Sequence, residues 1–295
     1  MRTLGAAMIV SLLLAPSSLF AWGDKGHLMI NRLAIDAAAS RLPEFMNKDR
    51  EHLIFNANEP DHWREESRSP MNIAQELDHY LNVESWGTLA TLPVDRYTFI
   101  QQLMQRGVDL KVGYLPYAII ENYGRLVNAF RYWRNAKTPA DRESSRANAV
   151  YVAGVLGHYV GDGSQPMHLT IHHHGWAANV PNPKNFTTDY GIHSRYESAY
   201  VTAAIDIGKV RPNVRIPQRL LNVWDSIKQY LSHSHSELEP LYEYEKAGEF
   251  YPDKPRAKGT EFIAAELSRA ATMLAALWYT AWLESAEPLR GSNAN

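Results

Sequence analysis

Five residues between positions 158 and 197 are of types that bind metal ions, at spacings that bring them together. His158 and Asp162 stand four apart in Gly157-His158-Tyr159-Val160-Gly161-Asp162, so a helix through this segment presents both side chains on one face. Pro166 ends that helix, and His168 follows on a chain that has turned. His193 and Glu197 repeat the four-residue spacing in His193-Ser194-Arg195-Tyr196-Glu197. Imidazole and carboxylate are ligands that zinc commonly takes. A carboxylate such as Asp162 can also bridge two ions, which lie ~3.5–4 Å apart in two-metal phosphoesterases. One His/Asp pair on a helix is ordinarily a surface hydrogen bond. Two such pairs and a His beyond a Pro are harder to obtain by accident and point to a metal site.

The N-terminal part adds candidates. Arg2, the apolar run from Leu4 to Leu14, the break at Pro16-Ser17-Ser18 and the closing Ala21 read as a secretory signal over 1–21, with Leu19 larger than usual at the third position before the cut. The run is too short to span a bilayer, and no stretch of ~18 or more apolar residues follows it. The expectation is an exported protein, periplasmic or secreted, with a mature part over 22–295. Cleavage after Ala21 would leave Trp22 with a free α-amine, which titrates near ~7.7–8.0 when unperturbed; its neutral form and the carbonyl of the same residue can close a chelate ring. His27 lies five residues on, in Trp22-Gly23-Asp24-Lys25-Gly26-His27. Asn58-Glu59-Pro60-Asp61-His62-Trp63-Arg64 offers a carboxylate, Asp61 or Glu59, and Asp78-His79 offers another imidazole.

The elements that must position these residues are helices. Apolar residues recur at helical spacing over 24–40, where Leu28, Ile30, Leu33, Ala34 and Ala37 mark one face, and over 94–107 and 116–135. Thr138-Pro139-Ala140-Asp141 has the cap, proline and early acid of a helix start, and that helix runs to about Val160. Helices are also expected over 193–208, 215–233 and 259–284. Alternating apolar runs and Asn-Gly hairpin turns are missing, so the fold class is all-α, in a single multi-helix domain. Thr170 to Gly191 is the longest irregular stretch, rich in His, Asn, Pro and Gly, and long loops in compact domains are often functional.

Composition narrows the chemistry. The 295 residues are 45% hydrophobic and 21% charged, the range of ordinary globular proteins. A net charge of −2 gives no global basic field to hold nucleic acid. With no cysteine, disulfides, thiolate zinc sites and cysteine nucleophiles are excluded. Tyr114, Tyr117, Tyr123, Tyr132 and Trp133 read as core rather than as a stacking surface. Arg125, Arg131 and Arg134 read as a solvated face, the His172-His173-His174 run as a solvated loop, and His52, His233 and His235 as surface residues.

Taken together these segments resemble the superfamily that joins zinc-dependent phospholipase C to S1/P1 nucleases. The Trp-Gly-x-x-Gly-His start after a signal resembles the nuclease branch. The His158-to-His168 segment, with its Gly-Asp and Gln-Pro-Met-His, matches both branches. Gly191-Ile192-His193-Ser194-Arg195-Tyr196-Glu197 resembles the phospholipase branch, which uses Glu where the nucleases use Asp. The match runs in order from Trp22 to about Val201. Two departures are plain: the Gly-Gly-Asn segment of the nucleases and their cysteines are missing.

The resemblance implies an all-α fold of the phospholipase C/P1 nuclease type and three zinc ions. Asp61, His79, His158 and Asp162 would hold one. His168, His193 and Glu197 would hold the second. The amine and carbonyl of Trp22, His27 and bridging Asp162 would hold the third. Glu59 is a neighbouring alternative to Asp61, whereas His62 and Asp78 stand beside ligands but face elsewhere. The implied reaction is hydrolysis of a phosphate ester by zinc-bound hydroxide, with Asp61 as the catalytic residue that orients or deprotonates the water. The substrate expected is a phospholipid, cleaved as by phospholipase C, and the main alternative is single-stranded DNA or RNA, cleaved as by a nuclease. A zinc-binding export protein without turnover, and a helical protein with only surface His/Asp pairs, are the alternatives of other classes.

Overall fold

A computed structural model of the chain describes residues 22–64 and 69–288. The secretory signal expected over 1–21 lies outside the described residues. Among the described residues the regular elements are helical, and the only β-type pairing is a single bridge between His173 and Gly175. The six longest helices are α1 (Gly23–Ala38), α2 (Arg96–Arg106), α3 (Leu115–Asn135), α4 (Pro139–Gly163), α5 (Val223–Ser236) and α6 (Ala257–Glu284). No helix among the described residues is long and apolar enough to cross a membrane.

The caps explain several boundaries. The Thr138 hydroxyl accepts the Asp141 N–H at 3.0 Å, with Pro139 in the first turn of α4. Asp95 caps α2 through the Thr98 N–H, and Gly107 ends it in the left-handed region at φ 66°. Asn222 caps α5 through the Asp225 N–H. The helix expected over 215–233 therefore starts only at Val223, and the apolar Ile216 and Leu221 before it are exposed. The stretch expected as one helix over 193–208 is broken. A π turn occupies Arg195–Tyr200, and the chain leaves helical geometry at Ile205 before Ile207–Val210. Short helices at Glu44–Lys48, Arg50–Phe55, Pro70–Gln75 and Leu238–Lys246 have no counterpart in the periodicity reading.

α4 runs through the middle of the molecule. It packs along α3 and against α1 and α6, and from Ala153 to Gly163 every residue is buried. Two glycines permit this closeness to α1. A Cβ on Gly157 would stand 1.8 Å from Asn31 Oδ1, and one on Gly161 2.7 Å from His27 Nδ1. Tyr114, Tyr117 and Tyr123 are core residues as expected, but Tyr132 is exposed. Arg131 and Arg134 reach the end of α6, where Arg134 covers the Trp282 ring.

One buried acid lies apart from the centre described below. Glu266 on α6 is 1% exposed. Burial pushes its carboxyl from 4.5 up to about 7, outweighing the adjacent Arg269 guanidinium. A raised carboxyl pKa means the folded chain keeps its proton longer than the unfolded chain. This contribution to stability is therefore present at low pH and is lost as pH rises from 4.5 towards 7. Glu266→Gln should remove the loss. Denaturant unfolding of both proteins at about pH 5 and about pH 8 should show the variant gaining roughly 2–3 kcal/mol relative to the parent across that interval. Parallel pH dependences would contradict this assignment.

Candidate metal centre

The C-terminal turn of α4 supplies the middle of the site. Asp162 is wholly buried. Its Oδ2 lies 3.0 Å from His79 Nδ1 and 3.4 Å from His158 Nε2. Its Oδ1 lies 3.6 Å from His27 Nε2 and 3.8 Å from His168 Nδ1. His27 arrives from α1, its ring stacked on His158 at 4.0 Å between centroids. Asp61 comes from the short helix Glu59–His62, which Pro60 opens, and Asp61 Oδ1 stands 3.7 Å from His158 Nε2 and 3.8 Å from His79 Nδ1. His79 ends the 3₁₀ turn Glu76–His79, and His168 lies in the 3₁₀ turn Pro166–Leu169. His193 and Glu197 follow the long loop, with His193 Nε2 2.8 Å from Glu197 Oε2.

Three compact groups result: His27, His158 and Asp162; Asp61, His79 and His158; His168, His193 and Glu197. Within each, one donor atom per residue lies within 4.8 Å of the others, and all these residues are buried. Asp162 joins the groups, since its two oxygens face imidazoles of all three.

Backbone carbonyls set the imidazole orientations. His158 Nδ1 donates to Ala57 O at 2.8 Å, His168 Nδ1 to His79 O at 2.7 Å, and His193 Nδ1 to His173 O at 3.0 Å. A carbonyl can only accept, so the proton sits on Nδ1 and the Nε2 lone pair turns inward. Metal-binding histidines are generally oriented this way. Gln165 does the same for the acid, donating Nε2–H to Glu197 Oε2 at 3.0 Å while its Oε1 accepts from the Met167 N–H.

The electrostatics leave this donor set unbalanced. Burial pushes Asp61 up to about 7 against the pull of Arg64, and pushes Asp162 well above the carboxylate range, with the charges of Asp61 and Glu197 adding to it. Burial also holds His79 and His158 well below the ordinary imidazole value and lowers His168. Glu197 differs: burial works against its charge, but His193 and His168 outweigh it and hold the carboxyl down to about 2. Asp61 Oδ2, both oxygens of Asp162 and Glu197 Oε1 are buried with no hydrogen-bond partner. Buried polar atoms are rarely left this way. Carboxylate oxygens without donors, beside inward-facing imidazole lone pairs, fit divalent cations, and the nitrogen and oxygen donors suit zinc.

Of the residues singled out from sequence, His27, Asp61, His79, His158, Asp162, His168, His193 and Glu197 come together here. Trp22 is fully buried and adjoins them, its indole N–H donating to Gly161 O and Ser164 Oγ. Its backbone nitrogen is an amide in the full chain, and its carbonyl accepts the Gly26 N–H. Glu59 faces His62 instead. Asp78 turns away to Arg96 and lines a separate cavity of about 300 Å³. The His172-His173-His174 run is not a solvated loop. His172 is buried and stacks on Trp176 at 3.9 Å, and His173 and His174 line the cleft in front of the centre. His235 is not an isolated surface residue, since it reaches Glu84 at 3.3 Å.

Residue types and spacing did not single out Arg64 or Gln165. Arg64 stands three residues after Asp61 and donates to its Oδ1 at 2.6 Å. That three-residue spacing is a local signal that marks Arg64 as a partner of Asp61, whereas Gln165 meets Glu197, 32 residues on, only through the folded geometry. The cleft holds about 160 Å³ and opens on His79, His168 and His193, between Arg64, Glu76, Tyr80 and Met167 and the two loop histidines.

No family model matches the chain, and no curated protein matches it. Among solved structures, the chain is similar to an alpha toxin from Clostridium absonum, with a TM-score of 0.44 and 14% sequence identity, over 92% of this chain. It spans 65% of the length of that toxin chain.

Proposed function

We propose that the protein is a zinc-dependent hydrolase of phosphate esters, acting on phospholipids in the manner of a phospholipase C. The observation that carries this reading is the convergence of buried imidazoles, oriented by backbone carbonyls, around carboxylate oxygens that lack donors. Asp61, His79, His158 and Asp162 would hold one ion, and His168, His193 and Glu197 a second. His27, Asp162 and the backbone of Trp22, once freed as an amine, would hold a third. Zinc bound there would polarise a phosphoryl oxygen and supply a nucleophile near neutral pH.

The chain's own groups do the rest. Arg64 brings a cation to the mouth of the cleft, where a phosphate enters, and its second role is to fix Asp61 through Oδ1. Asp61 Oδ2 is left to accept the proton of an attacking water, so Asp61 is the general-base candidate. Burial of the centre keeps bulk water away and strengthens each interaction within it. The lean to phospholipid rests on Glu197, placed four residues after His193 as in the phospholipase branch.

A nuclease is the second reading, supported by the rings that line the cleft. Tyr80 and His173 lie 6.4 Å apart, and His174 stacks on the exposed Tyr190 at 3.9 Å. Such rings can stack bases. The test is zinc-loaded protein, trimmed to begin at Trp22, assayed side by side on phosphatidylcholine vesicles and on single-stranded DNA and RNA. Release of phosphocholine is the expected result. Release of nucleotides instead would move the protein to the second reading, and cleavage of neither would overturn the hydrolase.

A further inference from the structure

We propose that Glu84, outside the donor set, is a positioning residue for the His168, His193 and Glu197 half of the centre. The inference rests on the metal-centre reading above. Glu84 belongs to the short helix Val83–Trp86, and its carboxylate grips the start of the long loop. Oε1 accepts the Thr170 hydroxyl at 2.5 Å, and Oε2 accepts the Ile171 N–H at 3.0 Å. His235 on α5 also reaches Oε1, at 3.3 Å. Partial burial works against the charge of Glu84, but the bonds from His235, Thr170 and Ile171 outweigh it and hold its carboxyl down to about 2.

The grip falls between two points that orient ligands. On one side, the segment that carries Glu84 also fixes His168, since His79 O accepts its Nδ1–H and the Leu81 N–H donates to His168 O at 2.8 Å. On the other side, Thr170 sets the turn that follows. Its hydroxyl accepts the His172 N–H at 3.1 Å, and its carbonyl accepts from His173 Nδ1 at 3.1 Å. The next carbonyl in this path, that of His173, receives the His193 Nδ1–H. Glu84 thus reaches one ligand through the 79–84 segment and another through the Thr170 turn. Without it, the loop keeps the Tyr242 hydroxyl on His172 O and the Ala177 N–H on His172 Nδ1, but loses the tie that fixes the Thr170 end of the turn.

Outer contacts of this kind typically change metal affinity by 10–100-fold when removed. The variants are Glu84→Ala, Thr170→Val and the conservative Thr170→Ser. Zinc affinity is read by competition with a chelator, and thermal unfolding is read in parallel. Glu84→Ala and Thr170→Val should weaken one bound zinc by about 10- to 100-fold and leave the others unchanged, while Thr170→Ser retains the parent affinity. A fall in unfolding temperature with every zinc affinity unchanged, or equal weakening of all ions, would overturn the proposal. A second readout needs no metal: in protein labelled with ¹⁵N-histidine, the His193 Nδ1–H held by the His173 carbonyl should give a slowly exchanging signal that Glu84→Ala abolishes. Failure of the unaltered protein to bind zinc would refute the hydrolase reading alone. The His193 signal would then decide the role of Glu84, its persistence in Glu84→Ala overturning that role.

Discussion

Removal of divalent metal by a strong chelator should lower the unfolding temperature by 10 °C or more, and added zinc should restore it. The reason lies in the core rather than at the surface. Asp61, Asp162 and Glu197 are each no more than 1% exposed, and four of their oxygens have no hydrogen-bond partner. Buried polar atoms without partners cost roughly 1–3 kcal/mol apiece, and more when charged. A ligand that binds only the folded state adds about 4 kcal/mol when its concentration is ~1,000 times its Kd. In a domain of this size 1 kcal/mol shifts the midpoint by roughly 2–4 °C, so even one ion accounts for about 10 °C. Calorimetry of the protein before chelation, after it and after zinc is returned measures the effect. A midpoint unmoved by the chelator would mean that the folded chain tolerates these oxygens as they are, and the metal reading would fail.

How far the sequence revealed this arrangement depends on whether the determinant is local. His158 and Asp162 share a face because helical geometry fixes neighbours four apart, and Thr138 with Pro139 marks the start of that helix whatever surrounds it. The all-α class follows from the same periodicity. Where the reading failed, tertiary contacts had overruled local pattern. The Arg215 and Leu220 N–H groups donate to the Thr272 and Thr280 hydroxyls of α6, which keeps this segment out of the helix its apolar spacing predicts, and the exposed Leu221 lies ahead of the cap at Asn222. Apolar spacing over 193–208 cannot reveal that Arg195–Tyr200 adopts a π turn, a geometry frequent at functional sites. The three loop histidines resemble a polar surface run until Trp176 and Tyr242 are seen against His172. Glu84 and Thr170 are 86 residues apart, and no periodicity links them.

Asp162→Asn should have opposite effects on the two forms of the protein. The substitution keeps the side chain's shape and removes its charge. In the metal-loaded protein it deprives two groups of a shared oxygen anion. Zinc content should fall, and kcat/KM on the cleaved phosphodiester should drop by about 10³-fold or more, equivalent to roughly 4 kcal/mol of transition-state stabilisation. In the metal-free protein the sign reverses. There burial holds the Asp162 carboxyl well above its usual range, with Asp61 and Glu197 adding repulsion, so at neutral pH folding must either draw a proton onto the carboxyl or bury its charge, and both cost stability. An amide has no such charge, and its N–H groups can donate to the lone pairs of His79 Nδ1 or His158 Nε2, both within reach of Asp162 Oδ2. The chelated variant should therefore be more stable than the chelated parent, by roughly 1–3 kcal/mol. Urea unfolding of both proteins, with zinc and with chelator, gives four midpoints whose order should invert between the two conditions. A variant weaker than the parent in both would make Asp162 a packing residue, and one that kept full zinc and full turnover would remove it from the centre.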